Sequence, residues 1–173
     1  IVSGRGNLSF TSINLPRIAI DANKNIDAFF ENLDRKIDIV IQQLLERFRI
    51  QCAKKVRNYP FLMGQGLWLD SDKLKADDEL MEVLKHGTLT VGFIGLAESL
   101  TALYGDHHGA SEELQKKGLE IIGFMRDYCA ERFTLSVLIY VISAFVSPPI
   151  STPSYNCCAN CMVFFEEKPN FLA

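Results

Sequence analysis

Between Ile26 and Lys55 the chain carries the pattern that most restricts its fold. Ile26, Phe29, Phe30, Leu33, Ile37, Val40, Ile41, Leu44, Leu45 and Phe48 recur at spacings of three and four, with Glu31, Asp34, Arg35, Lys36, Gln42, Gln43, Glu46 and Arg47 opposite them. Such a stripe predicts one long amphipathic helix, too apolar along one side to stand alone in water. Asn25 is placed to cap its first turn. The helix must be buried against a core or a partner domain, so its role is packing, and catalysis has to be sought elsewhere.

The segments around it have a different period. Asn7–Asn14 (NLSFTSIN) alternates Leu8, Phe10, Ser12 and Asn14 against Ser9, Thr11 and Ile13, the signature of a short half-buried strand. Pro16 stops it, because proline has no N–H for a ladder and holds Leu15 extended. Thr88–Phe93 (TLTVGF) reads as a second strand, turning at Gly92–Gly95 into a helix that runs through Tyr104 to Gly105. A further helix is expected over Ser111–Arg132. Tyr59–Asp70 (YPFLMGQGLWLD), with one proline and two glycines, reads as a strand or extended loop. Leu74–His86 reads as a helix, with Asp77, Asp78 and Glu79 in its first turn and Gly87 as a left-handed cap. Strand, helix, strand, helix in this order predicts an α/β fold with crossover connections.

Composition bounds the rest. The 173 residues are 48% hydrophobic and 23% charged, with a formal net charge of -3. That is a globular composition with no basic excess of the kind that serves nucleic acid. Phe133–Val146 (FTLSVLIYVISAFV) is fourteen residues of apolar chain, shorter than the roughly 20 that a membrane-spanning helix needs; a buried strand is expected. With no membrane segment and no basic-then-apolar leader, the expectation is a cytoplasmic location. The chain opens on Ile1 and is read as an internal piece of a larger protein.

Of the five cysteines, Cys52 and Cys129 fall on helices as small apolar groups. Cys157, Cys158 and Cys161 crowd the tail. Cys158-Ala159-Asn160-Cys161 has the spacing of half a zinc knuckle but lacks a second pair. His107-His108 lacks the helical His-x-x-x-His spacing and a third ligand, so a solvated loop is expected there. No metal site is assigned.

The runs Arg5–Ile20 (RGNLSFTSINLPRIAI) and Gly87–Gly109 (GTLTVGFIGLAESLTALYGDHHG), with FLMGQGLWLD (Phe61–Asp70) between them, resemble the catalytic barrel of anaerobic, glycyl-radical ribonucleoside-triphosphate reductases. The resemblance covers about 3–135. It implies a slice of a ten-stranded α/β barrel over 1–135, and a divergent tail, frameshifted or non-native, over 136–173. The implied parent enzyme converts ribonucleotides to deoxyribonucleotides. A C-terminal glycyl radical, installed by an S-adenosylmethionine iron–sulfur activase, would oxidise a finger-loop cysteine, whose thiyl radical takes a ribose hydrogen. Nucleotide effectors, a homodimer and a zinc site near the far C-terminus are also implied; neither the thiyl cysteine nor the glycyl motif is found in this chain, so no residue is assigned as catalytic. The alternatives are a piece of another glycyl-radical enzyme, or a binding module using the Ile26–Lys55 helix.

Asn14 is the one substrate-binding residue assigned. In the resembled family, the asparagine of this N-L-P turn lies beside the substrate ribose. Physically, a neutral amide both donates and accepts hydrogen bonds without adding charge. The competing role is closure of the turn before Pro16. Asn7, behind Gly4-Arg5-Gly6, is a weaker candidate. Glu98 is explained by the helix dipole and is given no acid or base role.

Overall fold

The computed structural model describes residues 6–131 and the backbone of 138–143. Phe133–Val146 enters it only through that backbone, and the cluster Cys157, Cys158 and Cys161 lies outside the described residues.

Strand β1 spans Asn7–Asn14 and leads directly into helix α1, Leu15–Ala22. The sequence reading had Pro16 ending a strand and nothing helical after it. Proline also fits the first turn of a helix, where its missing N–H is not needed, and Asn14 supplies the cap. Helix α2, Ile26–Cys52, follows after Asn25 accepts a hydrogen bond from the Ala28 N–H at 3.1 Å. Phe29, Leu33, Ile37, Val40, Ile41, Leu44 and Phe48 of the expected stripe are buried, together with Cys52, while Ile26, Phe30 and Leu45 are half-buried at its margins. Full burial of each large apolar side chain stabilises the fold by about 1.5–3 kcal/mol. The helix stops three residues before Lys55 because the Leu80 N–H takes the carbonyls of Cys52 and Lys54.

The excursion from α2 to the second strand departs most from expectation. Tyr59–Asp70 is not a strand: Pro60–Gly64 forms the short helix α3. A 3₁₀ turn covers Ser71–Lys73. Leu74–His86 is helical only over α4, Met81–Leu84. The acidic run finds other partners. Asp78 accepts from the Lys75 N–H through its side chain and from the Val56 N–H through its carbonyl, and Arg57 N–H donates to the Ala76 carbonyl. Pairing with the chain after α2 replaces helical bonding there.

Strand β2, Thr88–Ile94, runs parallel to β1. Helices α5, Leu96–Tyr104, and α6, Glu112–Glu131, lead to strand β3, Leu138–Ser143, parallel to β2 on its far side. The three strands lie in the order β1-β2-β3. Ile13, Leu89, Val91 and Phe93 are buried on one face. On that face Arg47 of α2 donates to Ser9 Oγ at 3.1 Å and Thr11 bonds Gln43 of α2 at 3.3 Å. Helix α1 packs on α2, α5 and β2, α2 also lies on β1, and α6 packs on α5, α2 and β3. The fold is α/β, as the alternation of elements predicts.

Candidate site at the carboxyl ends of the parallel strands

Parallel α/β sheets hold ligands beyond the carboxyl ends of their strands. Here that end is made by Asn14 of β1, which pairs in register with Ile94 of β2. Both are exposed, while their neighbours Ile13 and Phe93 are buried.

Asn14 Oδ1 accepts the Arg17 N–H at 3.1 Å, so the residue caps α1. Its Nδ2 makes no hydrogen bond among the described residues and points from an exposed position. The turn role and a ligand role therefore use different atoms of one amide. Asn7 sits at the opposite end of β1, paired with Thr88.

Gly95 closes the β2–α5 turn in the left-handed region, φ +76°, and a Cβ there would lie 2.2 Å from Pro16 Cγ. Only glycine lets the two strand ends approach this closely. Glu98 is exposed in the first turn of α5 and reaches toward the same spot, its Oε2 being 3.5 Å from that Cβ position. His108 is half-buried; burial, then the neighbouring His107, push its pKa below the ordinary 6.5, and Glu98 opposes this. The imidazole is therefore neutral at pH 7. His107 is tied into its own loop, with Nδ1 accepting the Gly109 N–H at 3.0 Å. Among the described residues no three His, Cys, Asp or Glu side chains are placed to hold a metal. No helix of these residues is long and apolar enough to cross a membrane.

Cys52 and Cys129 are buried free thiols, and burial pushes their pKa values up to about 11 and about 12. Neither is poised as a thiolate. At the opposite end of the sheet Asp70, at φ +66°, joins Lys73 and His86, with His86 Nε2 3.0 Å from Asp70 Oδ2. Hydrogen bonds from Lys73 and then His86 hold the Asp70 carboxyl below its usual range. Asp70 and His86 are sixteen residues apart, so no local sequence pattern signals their pairing.

The family model for anaerobic ribonucleoside-triphosphate reductase matches residues 1–144. The chain belongs to this family. The reductase of Salmonella typhimurium is 36% identical over 129 residues, covering 73% of this chain and 18% of its own length. Those of Escherichia coli and Haemophilus influenzae are 32% and 33% identical, each covering 91% of this chain and 21% of its own length. The chain thus spans about a fifth of the length of the curated relatives it matches. The family membership reads the two motif runs as the sequence did, and removes the alternatives of a different glycyl-radical enzyme and an unrelated binding module.

Proposed function

We propose that the chain is part of the catalytic barrel of an anaerobic enzyme that reduces ribonucleoside triphosphates to deoxyribonucleotides by radical chemistry. Beyond the family, one observation supports the barrel: an all-parallel sheet whose strand order β1-β2-β3 follows the chain. Right-handed crossovers that always step in the same direction place every helix on the same face. An open doubly wound sheet reverses direction and covers both faces; a barrel does not, and its second face becomes the interior. Parallel strands are seldom left bare on one side, so the exposed side of β1 bearing Phe10, Ser12 and Asn14 belongs to an interior that the rest of the parent protein completes. The ten-stranded closure is the form we propose for it.

In this reading Asn14 keeps its Oδ1 on Arg17 and offers Nδ2 to a hydroxyl of the substrate ribose. The amide orients the sugar without placing a charge beside a radical. The glycyl radical, its iron–sulfur activase, the thiyl cysteine and the zinc site belong to the parent enzyme, and no step is assigned to them through residues described here. Nucleotide effectors, a homodimer and a cytoplasmic location complete the proposal, and residues 136–173 are read as a divergent tail. The isolated chain is expected to be inactive.

The test is made in the full-length parent enzyme, anaerobically and after radical activation. Asn14→Asp keeps an acceptor for the Arg17 N–H and removes the amide donor. Melting temperature should hold while turnover falls by roughly 5–150-fold, corresponding to about 1–3 kcal/mol for an unpaired polar group. Asn14→Ala should lose both, adding about 0.5–2 kcal/mol of lost capping. Full turnover in Asn14→Asp would return the residue to structure alone, and a wild-type enzyme that makes no deoxyribonucleotide would sink the activity itself.

A further inference from the structure

The turn after β2 brings a second polar group to the strand ends. Asn14 and Ile94 are register partners on neighbouring strands, about 4.8 Å apart, and Gly95 follows Ile94 directly. The point 2.2 Å from Pro16 Cγ that a Gly95 Cβ would occupy lies only 3.5 Å from Glu98 Oε2. The exposed carboxylate therefore bends back over the seam between the two turns. Helical side chains lean toward the N-terminus of their helix, so Glu98, the third residue of α5, is suited to this reach. Other acceptors at the seam are taken. The Gly95 carbonyl accepts the Ser99 N–H at 2.9 Å and the Ser99 hydroxyl at 2.6 Å, and Asn14 Oδ1 holds the Arg17 N–H. Glu98 makes no hydrogen bond or ion pair among the described residues. Arg17, the cation of the adjoining turn, is bound to Asp21 at 3.0 Å, and His108, which feels the Glu98 charge, is neutral at pH 7.

We propose that Glu98 is a second substrate-binding residue, its carboxylate accepting hydrogen bonds from the vicinal hydroxyls of the ribose that Asn14 holds. The proposal rests on the nucleotide-reductase reading and adds an acceptor to it. Asn14 Nδ2 donates and a carboxylate only accepts, so the pair complements a sugar hydroxyl, which does both. The two carboxylate oxygens match two neighbouring O–H donors, and hydrogen bonds to a charged acceptor are roughly twice as strong as neutral ones. The same charge repels phosphate, so the nucleotide lies with its sugar at the seam and its triphosphate directed away. Reduction removes the 2′ hydroxyl and with it one of the two donors. The product is then held less tightly than the substrate. Glu98 in this way favours ribonucleotide over deoxyribonucleotide and eases product release.

The experiment uses the full-length, radical-activated parent enzyme, with CTP as substrate, dCTP as competing product and nucleotide effector saturating. Glu98→Gln keeps the length and one acceptor oxygen and removes the charge. Its KM for CTP should rise about 10–150-fold, the loss of a hydrogen bond to a charged group. The inhibition constant of dCTP should rise less, so that discrimination between the two narrows. Glu98→Asp keeps an acid in the first turn of α5, where it still favours the helix N-terminus, but draws the carboxylate back by one methylene. Its melting temperature should hold while its KM for CTP also rises. Wild-type KM in both variants, with a lower melting temperature in Glu98→Gln, would overturn the proposal and return Glu98 to the helix terminus alone. Equal rises in the two constants would overturn it too, because a contact with the base or the phosphates does not sense the 2′ hydroxyl. A wild-type enzyme without turnover would fail the reductase reading instead, and is told apart because every variant is scored against it.

Discussion

Gly95→Ala offers the most demanding check on the architecture of the strand ends. The added methyl would sit 2.2 Å from Pro16 Cγ and 2.5 Å from Pro16 Cδ, on backbone at φ +76°. The left-handed backbone costs an alanine about 1–2 kcal/mol. Forcing extra volume against a ring that cannot rotate away costs typically about 1–3 kcal/mol more. The sum, about 2–5 kcal/mol, is a large part of the 5–15 kcal/mol that holds a typical domain folded. The two contributions can be separated. Pro16→Ala removes both clashing atoms and by itself should lower stability by only about 0.4–1 kcal/mol, through the freer unfolded chain. The double variant should then keep the backbone cost and recover the steric one, giving a favourable coupling of about 1–3 kcal/mol. Gly95→Asn accepts the left-handed backbone more readily but retains the clash, so it should be rescued by Pro16→Ala almost fully. The assay is denaturant unfolding of the four proteins of the cycle in the full-length parent. Hydrogen exchange at the Ser99 amide, which bonds the Gly95 carbonyl at 2.9 Å, localises the effect. Strict additivity of the two substitutions would refute the close approach of Pro16 to Gly95.

Three further outcomes are expected. Cys52 and Cys129, with thiol pKa values pushed up to about 11 and about 12, should resist a thiol reagent at pH 8 in the folded protein and react once it is unfolded; rapid native labelling followed by mass spectrometry would contradict their burial. The Asp70 carboxyl is held below its ordinary value of 3.8, so it binds its proton more weakly folded than unfolded. Its contribution to stability is full above that value and fades as pH falls through the depressed one; Asp70→Asn should flatten the acid limb of an unfolding-against-pH curve, and an unaltered limb would speak against the pairing with Lys73 and His86. The isolated 173-residue chain should self-associate, since the exposed Phe10 side of β1 and its outer edge both invite pairing; a sharp monomer peak with a cooperative melt would count against the barrel proposal.

Periodicity alone determined the long helix, the two main strands and the α5 and α6 helices, because each has a strong local pattern and a local stop. The stripe from Ile26 to Phe48 admits one structure, and Gly105, at φ +99°, ends α5 as its sequence position implies. Signals with two meanings were settled differently. Pro16 ends a strand and also opens a helix, and Asn14 as cap chose both. Asp77, Asp78 and Glu79 look like a helix start, yet the nearby backbone pairs with Val56 and Arg57 instead, which no local pattern records. The motif runs carried the family, and Asn14 with it. What the sequence could not determine was the second face of the sheet. An alternating strand specifies two faces but not which one the helices cover. Helix α2 lies on the Ser9, Thr11 and Ile13 side of β1 and leaves Phe10, Ser12 and Asn14 exposed. Register then set Ile94 beside Asn14, two residues eighty positions apart. That juxtaposition exists only when β1 and β2 pair, because hydrogen bonding between strands, and nothing local to either, brings the two strand ends together.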